Sequence, residues 1–95
     1  MATIAARVAA GAAWLDLHEP GWANRIDTER LLMRSCKECV VGQIFGDFDR
    51  LFGTDRVGAV VFGFSLPYGD PAHAWDYLEA VWRDLILARR AEGGA

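Results

Sequence analysis

The stretch from Asp70 to Arg90, DPAHAWDYLEAVWRDLILARR, decides the fold class. Asp70 is an N-cap residue, and Pro71 suits the first helical position, where its missing N–H is one that no helix would have used. Trp75, Leu78, Val81, Trp82, Leu85 and Ile86 follow at spacings of three and four, which is one face of an α-helix. Arg89 and Arg90 stand in the last turn, where cations offset the negative end of the helix dipole. A long helix with one apolar stripe needs an apolar surface to lie on, and the rest of the chain must supply it.

Upstream, Ser35-Cys36-Lys37-Glu38 has the S-x-x-E form of a capping box. It predicts a helix from Cys36 to about Phe52, stopped at Gly53. Val40, Ile44, Phe48 and Leu51 mark its stripe, with Val41, Phe45 and Phe52 beside it. Gly42 and Gly46 leave a notch suited to the close approach of another helix. A third helix is expected over Thr3 to Leu17. Its Ile4, Val8, Ala12 and Leu15 share one face, and Ala6, Ala10, Ala13, Trp14 and Leu17 form a second. Such a helix touches neighbours on both sides, or a second copy of the chain. Gly11 costs about 1 kcal/mol relative to Ala in mid-helix, which points to a close crossing there. His18-Glu19-Pro20-Gly21 ends the helix. Residues 25–33 are ambiguous: Asp27 can cap a short helix through Arg30 and Leu31, which is favoured, or Arg30 to Arg34 can form a brief strand. The run Gly58 to Phe64 reads as a short helix capped by Thr54 or as a buried strand.

The expected architecture is therefore mainly α. A single domain over 1–95 has three longer helices (about 3–17, 36–52 and 71–90), short irregular pieces between them, and a frayed tail at 91–95. Ninety-five residues are enough for one domain. A chain that is 53% hydrophobic and 24% charged is neither disordered nor a coiled coil. The net charge of −3 gives no support to general nucleic-acid binding. Eleven aromatic residues are many for this length, and large rings are one way for a small domain to gain apolar burial. Met1 to Leu15 lacks a basic n-region and is broken by Arg7, with Asp16 following, so it does not read as a signal peptide. No run of about 18 apolar residues is present to span a membrane. Two cysteines are too few for a secreted disulfide scaffold, so a cytoplasmic protein is expected.

The chain has no G-x-G-x-x-G, P-loop, H-E-x-x-H or G-x-S-x-G motif. Two histidines and a handful of hydroxyl residues leave little material for a catalytic triad. The most chemically loaded feature is Cys36-x-x-Cys39. In the first turn of a helix, the dipole and free amides would favour thiolates and a redox dithiol. Against this, the usual context is a strand leading into the pair. Together with His18 and His73, the pair has the composition of a tetrahedral zinc site, although its spacings match no compact finger. The bland alternative is that both cysteines are small buried hydrophobes. Arg25, Arg30 and Arg34 cluster before the Cys36 helix and are candidates to hold an anion or a nucleotide. Asp27, Glu29 and Glu38 stand ready to neutralise them. Trp22, Phe64 and Tyr68 place rings in connecting segments. They are candidate partner contacts or lids folded over the core.

The run Arg25-Ile26-Asp27, then Ser35-Cys36-Lys37-Glu38-Cys39-Val40-Val41-Gly42-Gln43-Ile44-Phe45-Gly46, resembles a family of small actinobacterial and actinophage proteins. That family has an R-I-D…S-C-x-x-C-V-x-G-Q-x-[FY]-G pattern, a later G-F element and a final helix containing Trp, matched here by Gly63-Phe64 and Trp82. The resemblance implies an actinobacterial or phage origin and brings no activity with it. The leading expectation is a small non-enzymatic accessory protein that docks to a protein partner, also as a homo-oligomer, and for a phage origin a modulator of a host protein. A zinc or redox module at Cys36 and Cys39 is the alternative, and an anion or nucleotide binder is the third.

Overall fold

The computed structural model describes residues 3–67 and 69–93. Among these there are five α-helices and no strand, in the order α1 (Ile4–His18), a 3-10 turn (Trp22–Arg25), α2 (Val40–Phe45), α3 (Phe48–Leu51), α4 (Arg56–Val61) and α5 (Ala72–Gly93). The mainly α architecture expected from the sequence is what the chain adopts. The helix α1 lies against α5 and α4, the 3-10 turn bridges α5 and α2, and α2 packs on α3.

Thr3 starts α1, its hydroxyl accepting the Ala6 N–H at 3.1 Å. Val8, Ala12 and Leu15 are fully buried, as the stripe predicts. On the second face Trp14 packs against the edge of the core, while Ala6, Ala10 and Ala13 are exposed and Leu17 is 77% exposed. Gly11 does mark a close approach, since a Cβ there would collide with the Phe62 carbonyl. At α5, Leu78, Trp82 and Ile86 are the buried positions. The helix begins at Ala72 and runs on to Gly93, so residues 91–93 are helical where a frayed tail was expected, and 94–95 lie outside the described residues. Its arginines do more than offset a dipole. Arg90 donates to the Ala23 and Ile26 carbonyls, and Arg83 to those of Thr28 and Leu31, at 3.3 and 3.4 Å. These bonds hold 23–31 as an irregular strap across α5, with a turn at 28–30 where a short helix was favoured.

The expected helix over 36–52 is divided. Ser35 does accept from Glu38 N–H at 3.1 Å, but it also accepts from Lys37 N–H, and the Leu32 N–H bonds to the Glu38 carbonyl. These bonds close a loop over 32–38 instead of opening a helix. The helix starts only at Val40, with Cys39 as its N-cap residue. Gly46 then takes φ +92, a left-handed conformation that costs a side-chain-bearing residue energy, and α2 stops there. Asp47 caps the separate helix α3 by accepting the Asp49 N–H at 3.0 Å. The notch at Gly42 is filled by this loop, because a Cβ there would meet the Lys37 backbone at 2.6 Å. The run 54–64 forms α4, capped by Asp55 rather than Thr54, with Asp55 Oδ1 accepting the Gly58 N–H at 2.9 Å.

Two of the rings placed in connecting segments belong to the interior. Trp22 and Phe64 are each 1% exposed. Both pack on Trp82, Phe64 stacked at 5.2 Å and Trp22 edge-on at 5.9 Å. Of the two alternatives, both rings fold over the core, as loops must in so small a domain. Trp22 does not line the pocket between α3, α4 and α5, while Phe64 also borders it. Tyr68 lies outside the described residues.

Candidate functional site

A pocket of about 360 Å³ opens where five segments meet: the loop at 33–36, the start of α3, α4, residues 64–67 with Gly69, and the first turns of α5. Met33, Phe48, Ala59, Phe64, Leu66, Pro67 and Trp75 supply its apolar lining. Arg34, Ser35, Cys36, Asp49, Arg56 and Ser65 supply its polar groups. The lining thus mixes apolar side chains with polar groups, and a concavity of this size is large enough to hold a ligand.

Each wall is held by identifiable bonds. The Cys36 carbonyl accepts the Phe48 N–H at 2.8 Å, which ties the loop to the start of α3. Arg34 pairs with Asp76 at 2.8 Å, and Met33 N–H donates to Glu79 at 3.0 Å, so the same loop is fastened to α5. Behind the loop, Gln43 accepts the Asp27 N–H at 2.7 Å and donates to the Asp27 and Glu38 carbonyls. A ladder of rings continues inward, Phe48 to Phe52 at 5.3 Å, Phe52 to Phe64 at 5.5 Å and Phe64 to Trp82. Arg56, on the α4 wall, has no ion pair and no side-chain hydrogen bond among the described residues.

The two cysteines sit in different surroundings. Cys36 is exposed on the pocket wall, and Cys39 is 1% exposed beneath it. Burial pushes the Cys39 thiol up, against the opposing pull of the Gly42 and Val41 N–H groups. The Gly42 N–H lies 3.2 Å from its sulfur. Cys36 precedes α2 by a full turn, so the expectation that both thiols share a helix's first turn is corrected.

The other candidate residues lie apart. His18 stacks on Trp14 at 4.2 Å and bonds to the Trp14 carbonyl through Nδ1 at 2.9 Å, and His73 is exposed on α5. Among the described residues, no group of three His, Cys, Asp or Glu side chains is placed to hold a metal, so Cys36, Cys39, His18 and His73 do not come together as a zinc set. The three arginines are each paired: Arg25 with Glu19 at 3.0 Å, Arg30 with Glu38 at 2.8 Å and Arg34 with Asp76. Of the three, only Arg34 reaches the pocket. Sequence reasoning missed Arg56, Phe48 and Trp75 as pocket residues. The half-buried Trp75 opening an otherwise regular stripe was the one available signal. No helix among the described residues is long and apolar enough to cross a membrane. Comparison with protein-family models, curated proteins and solved structures finds no match.

Proposed function

We propose that this chain is a non-enzymatic binding protein that takes a short segment of a protein partner into the pocket between α3, α4 and α5. The observation that carries this reading is the joining of apolar side chains with a guanidinium, Arg56, that has no ion pair among the described residues. A segment suited to it presents an apolar side chain to Phe48, Leu66 and Trp75, next to a carboxylate for Arg56. Arginine is suited to this role because its planar fork bonds a carboxylate in two places. The pocket volume is at the lower end of those that hold a ligand, enough for one or two side chains rather than a folded surface.

The test is selection from a displayed library of short peptides on the purified protein. Enrichment of an acidic residue beside a large apolar one is expected. Binding of the selected peptide should fall about tenfold or more in Arg56→Glu. It should hold in Arg25→Glu, whose site is the distant ion pair with Glu19. Selected peptides with no such pattern, or binding indifferent to Arg56→Glu, would overturn the reading.

A further inference from the structure

The Cys36-x-x-Cys39 pair is the one motif that partner binding leaves unused, and its geometry is asymmetric. The Cys36 thiol is open to solvent on the pocket wall, whereas Cys39 lies beneath it, shielded from any large reagent. A single α-turn joins the two, closed by the Cys39 N–H on the Ser35 carbonyl at 3.2 Å. The turn brings two thiols three residues apart into one short bend, and a disulfide, which needs Cβ atoms about 3.5–4.5 Å apart, would close it. The two thiols also feel each other electrostatically, a Cys36 thiolate opposing ionisation of Cys39.

We propose that Cys36 and Cys39 form a thiol–disulfide exchange site, with Cys36 as the attacking thiol, Cys39 as the resolving thiol and a disulfide as the substrate class. The Cys36 thiolate, its proton released to water, attacks one sulfur of the substrate disulfide. A Cys36 mixed disulfide forms, and the other sulfur leaves as a thiolate. Cys39, losing its own proton, attacks the Cys36 sulfur and expels the second substrate thiolate. The two leaving thiolates take up the two protons. The substrate disulfide is thereby reduced to two thiols by two electrons, and the dithiol is oxidised to a Cys36–Cys39 bond. Attack in the second step draws the Cys39 sulfur away from the Gly42 N–H, so α2 loses its cap. The loop resists the movement: the Cys36 carbonyl is held by Phe48 N–H, and the Lys37 backbone is packed on Gly42. A bond formed against such resistance is readily reduced again, which is the character of an exchanging disulfide rather than a structural one. This inference uses the pocket wall and does not depend on partner binding.

The experiment treats the reduced protein with glutathione disulfide and, separately, with insulin, and follows intact mass and peptide maps. With a reactive disulfide, the wild-type protein should lose two hydrogens, and the map should join Cys36 to Cys39. This wild-type result needs no variant to fold. Cys36→Ser should react slower by about tenfold or more, and Cys39→Ser should stop as a mixed disulfide on Cys36. The Gly42 amide should exchange faster with solvent in the oxidised protein. Reaction with glutathione disulfide alone assigns small disulfides as the substrate, and reaction with insulin as well extends the assignment to proteins. Reaction with neither overturns the proposal. So does a wild-type product that remains a mixed disulfide, or undiminished reaction in Cys36→Ser.

Discussion

Arg7 is buried in α1 with no hydrogen-bond partner at Nε or Nη1 among the described residues, an arrangement that ordinarily carries a desolvation cost. Methionine keeps most of the unbranched stem and removes the charge. Arg7→Met should therefore raise stability by about 1–3 kcal/mol, read from the midpoint of urea unfolding. A variant less stable than the wild type would mean that the guanidinium is satisfied in solution. Trp82 is the opposite case, a buried polar atom fully matched. Its indole N–H donates to the Gly63 carbonyl at 2.6 Å, with Phe64 stacked on one side and the Trp22 edge on the other. Trp82→Phe removes both the donor and part of the ring, and should cost about 2–4 kcal/mol by the same measurement. A cost below about 1 kcal/mol would show that the cluster repacks freely.

Between elements, the contacts that matter are few and specific. Gly63 follows α4 with φ +70, and a Cβ there would meet the Val8 nitrogen at 2.6 Å. Backbone cannot move aside as a flexible side chain can, so Gly63→Ala should push α1 away from α4 and cost about 2 kcal/mol or more in thermal or urea unfolding. At the other end of α1, Asp16 accepts the Trp22 indole N–H at 2.8 Å and pairs with Arg89 of α5 at 2.8 Å. Partial burial raises its carboxyl, but the bonds from Trp22 and Arg89 outweigh this and hold it below the usual range. Because the folded-state value lies below the unfolded one, its stabilisation is complete above about pH 4 and is lost as the pH falls through the folded value. Unfolding curves of wild type and Asp16→Asn should differ near neutrality and approach each other as the pH falls through the folded-state value; a gap independent of pH would contradict the linkage. The helices α1 and α5 were legible in the sequence because long stripes, an end at Pro20 and a start near Asp70 all agree. The single helix over 36–52 was not, because S-x-x-E serves a closed turn as well as a helix start. What decides between them is long-range: the Phe48 N–H on the Cys36 carbonyl, and the left-handed Gly46. The site was legible at Cys36, Arg34 and Phe64. That Arg56 has no ion pair among the described residues while Arg25 and Arg30 have theirs depends on where five separated segments meet, which local pattern does not encode.

Taken as a whole, the molecule is unevenly built, and the unevenness surrounds the pocket. Its long dimension is 40 Å, and the 22 residues of α5 cover about 33 Å of that at 1.5 Å per residue. The α5 face carries Leu78, Trp82 and Ile86, and α1 lies on it with Val8, Ala12 and Leu15. On the other side, α3 buries no residue and α4 buries only Ala59. The pocket thus meets the long helix α5 only at Trp75, and another of its walls stands on two short helices that little burial restrains. Local opening follows burial, because segments with few apolar contacts unfold without dismantling the core. In native-state hydrogen exchange, the amides of α3 and α4 should exchange by local opening, faster than those of α1 and α5. The latter should exchange only with global unfolding. A segment seated on Phe48, Ala59 and Arg56 binds the two loose elements at once, so the selected peptide should slow exchange in α3 and α4 and leave α1 and α5 unchanged. Uniform protection across all five helices in the free protein would remove the physical basis for a yielding wall. A pocket wall already rigid before binding would then have to recognise its segment by shape alone.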